Sequence, residues 1–256
     1  MIMNFTGVSG SRVAYLASQE IEQYDASLII VSSAQVAERL KEDISFFVPE
    51  IPVFTLPEEE SLRFLYEARD KDALVRRIRG MEALTRQDHS VVIAPITALL
   101  RPVSDKDRFL SRQRIIRMGD EVDPGELKTF LVSAGYEFSS VTSAPGEFSG
   151  RGDILDVFSP SLDNPVRLEF FDTELDSIRT FDPLTQRSLE TISEIRIVPA
   201  VEFMPTEPEI QAALTRIQTE FQQKIDELKT NQEENNLQDH RAERYEEEKK
   251  DRKSVV

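Results

Sequence analysis

Hydrophobic residues in the first hundred positions follow two patterns that alternate along the chain. Leu28 to Val31 and Val91 to Ala94 are short continuous apolar runs rich in β-branched residues, which predicts strands buried on both faces of a parallel sheet. Between them apolar side chains recur every three or four residues. Val36, Leu40, Ile44 and Phe47 mark a helix over 34–46, and Leu74, Ile78, Met81 and Leu84 mark another over 71–85. Pro49, Pro52 and Pro57 punctuate the connection and leave room for a short strand at Val53-Phe54. Strands alternating with helices in this way predict an α/β layer.

The texture changes from about Arg112. A helix over Pro124 to Ser133 is followed by short strands with two-residue alternation, separated by turn signals at Ala144-Pro145-Gly146, Asn164-Pro165 and Asp182-Pro183. This predicts a smaller α+β domain. In Val166-Arg167-Leu168-Glu169-Phe170-Phe171 the first, third and fifth residues make a core face, and Arg167, Glu169 and Phe171 point the other way. Arginine and large aromatics are the side chains most enriched at interface hot spots, so this second face reads as a docking surface. On that reading Arg167 and Phe171 project away from the core, and replacing either by alanine leaves the fold nearly intact. A plainer alternative pairs Arg167 with Glu169 or a cross-sheet neighbour.

Further on, Thr206 and Glu209 have capping-box spacing, and Ile210, Leu214, Ile217, Phe221, Ile225 and Leu228 form a stripe along a helix. The stripe is short for a coiled-coil seam and is expected to pack back on the α/β layer. Residues 230–256 are almost wholly polar, as in a frayed helix or linker, and resemble the cut end of something longer.

Composition narrows the chemistry. With 39% apolar and 30% charged residues the chain is of ordinary globular make-up. It has no cysteine and two histidines, which excludes disulfide frameworks, thiolate nucleophiles and the usual zinc sites. No apolar run reaches the roughly 20 residues of a membrane span, so a soluble cytoplasmic protein is expected. The net charge of −16, from 47 acidic and 31 basic residues, disfavours a phosphate-backbone partner. One basic island, Arg101, Lys106, Arg108, Arg112, Arg114 and Arg117, reads as a solvated surface near a domain boundary or as a partner contact.

Gly7-Val8-Ser9-Gly10-Ser11-Arg12-Val13-Ala14 has the outline of a phosphate loop where a first strand should meet a first helix. A working loop reads G-x-x-x-x-G-K-[ST]. Counted from Gly7, Arg12 replaces the second glycine, Val13 the lysine and Ala14 the metal-binding hydroxyl. Close backbone approach, the ammonium and the magnesium ligand are therefore all missing. The residues have the outline of a degenerate nucleotide-binding loop, but taken without their flanks they favour a generic Gly-Ser turn before a helix. Elsewhere no catalytic set forms. Asp153 and Asp156 are three apart on a strand pattern, His89 sits at a helix end beside Asp88, Arg151-Gly152-Asp153 has no secretory context, and Ser139 to Ser143 lacks a histidine.

The segment from Gly146 to Ser188 carries Gly146-Glu147-Phe148, Arg151-Gly152, Ile154-Leu155-Asp156-Val157-Phe158, Glu169-Phe170-Phe171-Asp172, Ile178-Arg179, Phe181-Asp182 and Thr185-Gln186-Arg187-Ser188. These pieces closely resemble the inserted domain shared by the excision-repair protein UvrB and the amino-terminal module of transcription-repair coupling factors. Gly119-Asp120, Ala134-Gly135-Tyr136, Pro199-Ala200 and Glu202-Phe203 extend the resemblance over roughly residues 5–206. Thr185 to Ser188 and Val198 to Phe203 are similar to the coupling-factor version.

The resemblance implies a degenerate RecA-like P-loop domain at 1–112 and 200–256, with a UvrA-binding domain inserted at 113–199. It implies Arg151, Arg167 and Phe171 as contacts for UvrA, the damage-sensing ATPase of excision repair. UvrB-type sequences carry an additional arginine where Ser149 stands. It also implies that the module itself has no ATPase activity and no cofactor. ATP, magnesium, DNA and RNA polymerase would be engaged only by other domains of a full-length translocase, whose carboxy-terminal part could mask the docking face. A UvrB-like enzyme fragment that keeps nucleotide and DNA contacts is the alternative, and a free-standing competitor of UvrB is a third reading.

Overall fold

The computed structural model describes residues 5–58, 71–86, 88–100 and 103–229. The chain divides into two compact units, Met1–Met204 and Pro205–Val256. The first is mixed α/β. It opens with α1 (Arg12–Ile21), β1 (Ala26–Val31), α2 (Ala34–Phe47), β2 (Val53–Thr55), α3 (Lys71–Arg86) and β3 (Ser90–Pro95). The three strands pair in parallel in the order β1-β3-β2. Ser33 caps α2 by accepting the Val36 N–H.

Central β3 is buried along its whole length, as its unbroken apolar run predicts. The matching expectation for β1 needs correction. Leu28 and Ile30 are 45% and 54% exposed, while Ile29 and Val31 pack with Ala14, Ile21, Ala37, Leu40 and Ile44. Among the described strands β1 lies at an edge of the sheet, with one face better covered than the other. The other face of the sheet is closed over β3 by Leu56, Ala83 and Ala98, which pack on Val92 and Ala94.

A short 3₁₀ turn (Ile96–Leu100) and α4 (Lys106–Ser111) lead to β4 (Arg114–Arg117), which pairs antiparallel with β11 (Glu194–Ile197). Between them lie α5 (Pro124–Ser133) and six strands: β5 (Glu137–Phe138), β6 (Glu147–Arg151), β7 (Ile154–Val157), β8 (Val166–Phe171), β9 (Glu174–Phe181) and β10 (Ser188–Thr191). They form one sheet in the order β10-β9-β8-β7-β6-β5. Asp123 caps α5, and Leu127 and Leu131 press it against Phe148, Leu155, Val166, Leu168, Phe170 and Ile178 on the inner face of the sheet.

Helix α3 joins the two parts. Its Ile78 packs with Phe109, Val198 and Met204. Arg77 forms a buried ion pair with Glu202 and donates from Nη1 to the Ala98 carbonyl at 3.1 Å. Arg79 donates from Nε and Nη2 to the Pro160 and Leu162 carbonyls at 2.7 and 2.6 Å and pairs with Asp163. The chain thus comes back to the first layer between Val198 and Met204.

The second unit is a helix over 207–229, α6, opened as its capping box predicts: Glu209 accepts from both the backbone N–H and the hydroxyl of Thr206. Ile210, Leu214, Ile217, Phe221 and Leu228 are exposed along it. The polar tail, residues 230–256, lies outside the described residues.

Candidate functional site

The outer face of the six-stranded sheet gathers the predicted docking residues, and the register explains how. Ser149, Asp156, Arg167 and Arg179 are successive cross-strand partners on β6, β7, β8 and β9. Arg151, Ile154, Glu169 and Ser177 form the next row. Two-residue turns at Gly152-Asp153 and Asp172-Thr173 close the β6–β7 and β8–β9 hairpins at the same end of the sheet. Gly152 and Asp172 supply the left-handed φ values of 60° and 59° that such tight turns require. A bulge between Glu169 and Phe170 precedes Phe171, which stands opposite Glu174 at this end.

The three predicted contact residues differ in environment. Phe171 is 79% exposed, although its neighbour Phe170 lies in the core. Arg151 is exposed and makes no ion pair among the described residues. Arg167 departs from the expectation that it projects freely into water: its side chain is 23% exposed and forms a bidentate pair with Asp156. Nε and Nη2 donate to the two carboxylate oxygens, each at 2.8 Å. The guanidinium carbon lies 4.8 Å from the centre of the fully buried Phe181 ring. These bonds to Asp156 raise the Arg167 pKa further above its ordinary range. Replacing Arg167 therefore disturbs the sheet as well as its surface, because Asp156 is itself almost buried.

Three neighbours were not identified from sequence as parts of this face. Asp156 holds Arg167. Arg179, directly opposite Arg167, is paired with Glu169, which also accepts from the Ser177 hydroxyl at 2.8 Å. Like charges facing each other across strands are unfavourable, and here each arginine has its own carboxylate. Thr142 is fully buried where the loop before β6 crosses the far half of the face: its hydroxyl donates to Ser149 Oγ at 2.9 Å, and its carbonyl accepts from Gln186. The Ser-rich loop is thus a structural strap. It leaves open the end that carries Arg151, Ile154 and Phe171.

The phosphate-loop outline occupies Gly7 to Ser11, with α1 beginning at Arg12. Gly7 and Gly10 have φ of 70° and 60°. Ser11 makes no side-chain cap. Arg12 and Val13 are exposed, and Ala14 is buried against α2, so its position serves packing. The strand expected before this loop falls largely on residues outside the described set.

The basic island disperses. Arg108 pairs with Asp105, Arg112 donates to Ser133 Oγ, Arg114 lies over the Phe130 ring and Arg117 pairs with Glu194. Lys106 is exposed, and Arg101 lies outside the described residues. His89 follows α3 at φ 39° and faces Asp25 at 3.6 Å. Among the described residues no group of three or more His, Cys, Asp or Glu side chains is placed to hold a metal ion, and no helix is long and apolar enough to cross a membrane.

A sheet face that ends in two hairpins and presents an exposed phenyl and an arginine carries the residue types enriched at protein interfaces. Residues 115–203 match the family described as the UvrB interaction domain. Around it the chain is similar to transcription-repair-coupling factors. That of Bacillus subtilis (strain 168) is 32% identical over 224 residues, 87% of this chain and 19% of that protein. Those of Staphylococcus aureus (strain bovine RF122 / ET3-1) and Staphylococcus haemolyticus (strain JCSC1435) are each 31% identical over 218 residues, 85% of this chain and 19% of theirs. The chain is thus similar to these factors, with residues 115–203 matching the UvrB interaction domain, and it spans about a fifth of the length of the curated relatives it matches.

Proposed function

We propose that this chain is a docking module for UvrA in transcription-coupled excision repair. Phe171 and Arg151 make the exposed contacts, and Arg167 makes a half-buried one. The observation that carries the reading is Phe171, 79% exposed, at the open end of a sheet lying within a UvrB interaction domain. A phenyl group exposed to this degree has no role in its own core, and burying one in a partner pocket is a common source of hot-spot energy. On this reading the module recruits UvrA to a stalled RNA polymerase, while contact with the polymerase and translocation on DNA with ATP belong to other parts of a longer protein.

The segment Gly7–Ala14 is read as a degenerate P-loop within a RecA-like domain. The module accordingly binds no nucleotide and has no ATPase activity of its own. Residues 113–199 are read as an insertion between two parts of that domain, supported by the return of the chain to α3 at Glu202 and Met204. The test is calorimetric titration of UvrA into this chain. The wild type is expected to bind, and Phe171→Ala to weaken binding by about 30-fold or more, equivalent to about 2 kcal/mol. Equal affinity of the two proteins would refute the assignment.

A further inference from the structure

We propose that Asp156 is a positioning residue for docking: it touches no partner, but aims the Arg167 guanidinium at one. The inference rests on the docking reading above. Arg167 has five N–H donors. Two sides of its fork are committed, Nε to Asp156 Oδ1 and Nη2 to Oδ2, and one flat face lies over Phe181. Nη1 makes no hydrogen bond among the described residues. A long arginine side chain normally loses up to about 2 kcal/mol of rotamer entropy when it is ordered. Here the ordering is already complete in the free protein, and the Nη1 edge meets an incoming oxygen acceptor without further rearrangement.

The surroundings support this assignment. Asp156 is almost buried, so it is out of reach of a partner, and it sits directly opposite Arg167 in the β7–β8 register. Glu169 is engaged by Arg179 and Ser177 and does not compete for Arg167. Because Asp156 offsets the Arg167 charge, the complementary surface need not be acidic there: a carbonyl oxygen suffices opposite Nη1. Arg151, exposed and without an ion pair among the described residues, is the position that calls for a carboxylate.

The experiment is a double-variant cycle read by UvrA titration, with wild type, Asp156→Asn, Arg167→Ala and the two combined. Asp156→Asn keeps the shape but lets the fork turn, and is expected to weaken binding about tenfold. In the Arg167→Ala background it is expected to change affinity by less than about twofold. The Arg167 Nε–H resonance, followed by ¹⁵N NMR, is expected to be sharp in the wild type and to broaden or disappear in Asp156→Asn. The double variant carries no buried unpaired carboxylate and keeps the cycle readable even if Arg167→Ala alone folds poorly; its affinity is then compared with that of Asp156→Asn alone, and further weakening by removal of Arg167 is the expected result. Wild-type affinity in a folded Asp156→Asn protein overturns the inference, as does an equal loss in both backgrounds. In either case Phe171→Ala still reports on docking itself, whereas a wild-type chain that fails to bind UvrA overturns both.

Discussion

Phe171 and Arg167 share a strand face but stand in opposite relations to the fold. Phe171 contributes little to its own domain, so Phe171→Ala is expected to shift the melting temperature by no more than about 1 °C, as for ordinary surface substitutions, while weakening UvrA binding. Arg151→Ala is expected to behave similarly, with a smaller loss of affinity. Arg167→Ala is expected to lower both. Removing the guanidinium strips an almost buried carboxylate of two charge-assisted bonds, at a cost of about 1–3 kcal/mol in stability, and uncovers Phe181. Parallel thermal melts and titrations of the three variants separate these roles, and an Arg167→Ala protein that melts with the wild type would show that the Asp156 pair contributes nothing to the sheet.

Elements whose burial is decided locally were readable from the chain. The alternation in Val166–Phe171 predicts which side chains of β8 face the core, and the Asp-Pro start and apolar spacing of α5 give its observed bounds. What depends on distant segments was not. β1 has the composition of a central strand but lies at an edge of the described sheet, with Leu28 and Ile30 exposed. Asp156 reaches Arg167 only through a register set by the connection between β7 and β8, so neither residue announces the pair. The residues proposed for docking could be picked out by type, and pairing of Arg167 across the sheet was one of the readings the alternation allowed, but Asp156 as its partner was not.

Helix α3 offers a test at the same scale. Glu82 is buried on it with Oε1 lacking a hydrogen bond, although Arg86 and Arg196 lie within 4.0 Å. Burial raises its pKa despite these cations. A carboxyl whose pKa is higher in the folded than in the unfolded state favours folding below the unfolded value, and that contribution is lost as pH rises through the folded value. Glu82→Gln is therefore expected to raise the melting temperature at pH 7, with the difference shrinking under acid conditions where Glu82 is protonated. A lower melting temperature at pH 7 would mean that the ion pairs outweigh the cost of desolvation.

At the scale of the molecule, an acidic chain carries one sheet face suited to another protein and a first layer whose loop lacks the lysine and hydroxyl of a phosphate site. Magnesium-ATP is accordingly expected to leave the melting temperature unchanged even at millimolar concentration, whereas a ligand at 100 times its Kd stabilises by about 2.7 kcal/mol. A shift of several degrees would restore the reading of a UvrB-like nucleotide-binding fragment.

The claim on which the account turns is the location of the docking face. Amide hydrogen exchange of this chain, with and without UvrA, addresses it directly. Protection is expected at the two adjacent hairpin ends, residues 151–154 and 169–174, with the α1–α2 layer and the Gly7–Ser11 loop unchanged. Protection confined to that layer, with both hairpins exchanging as in the free chain, would contradict it.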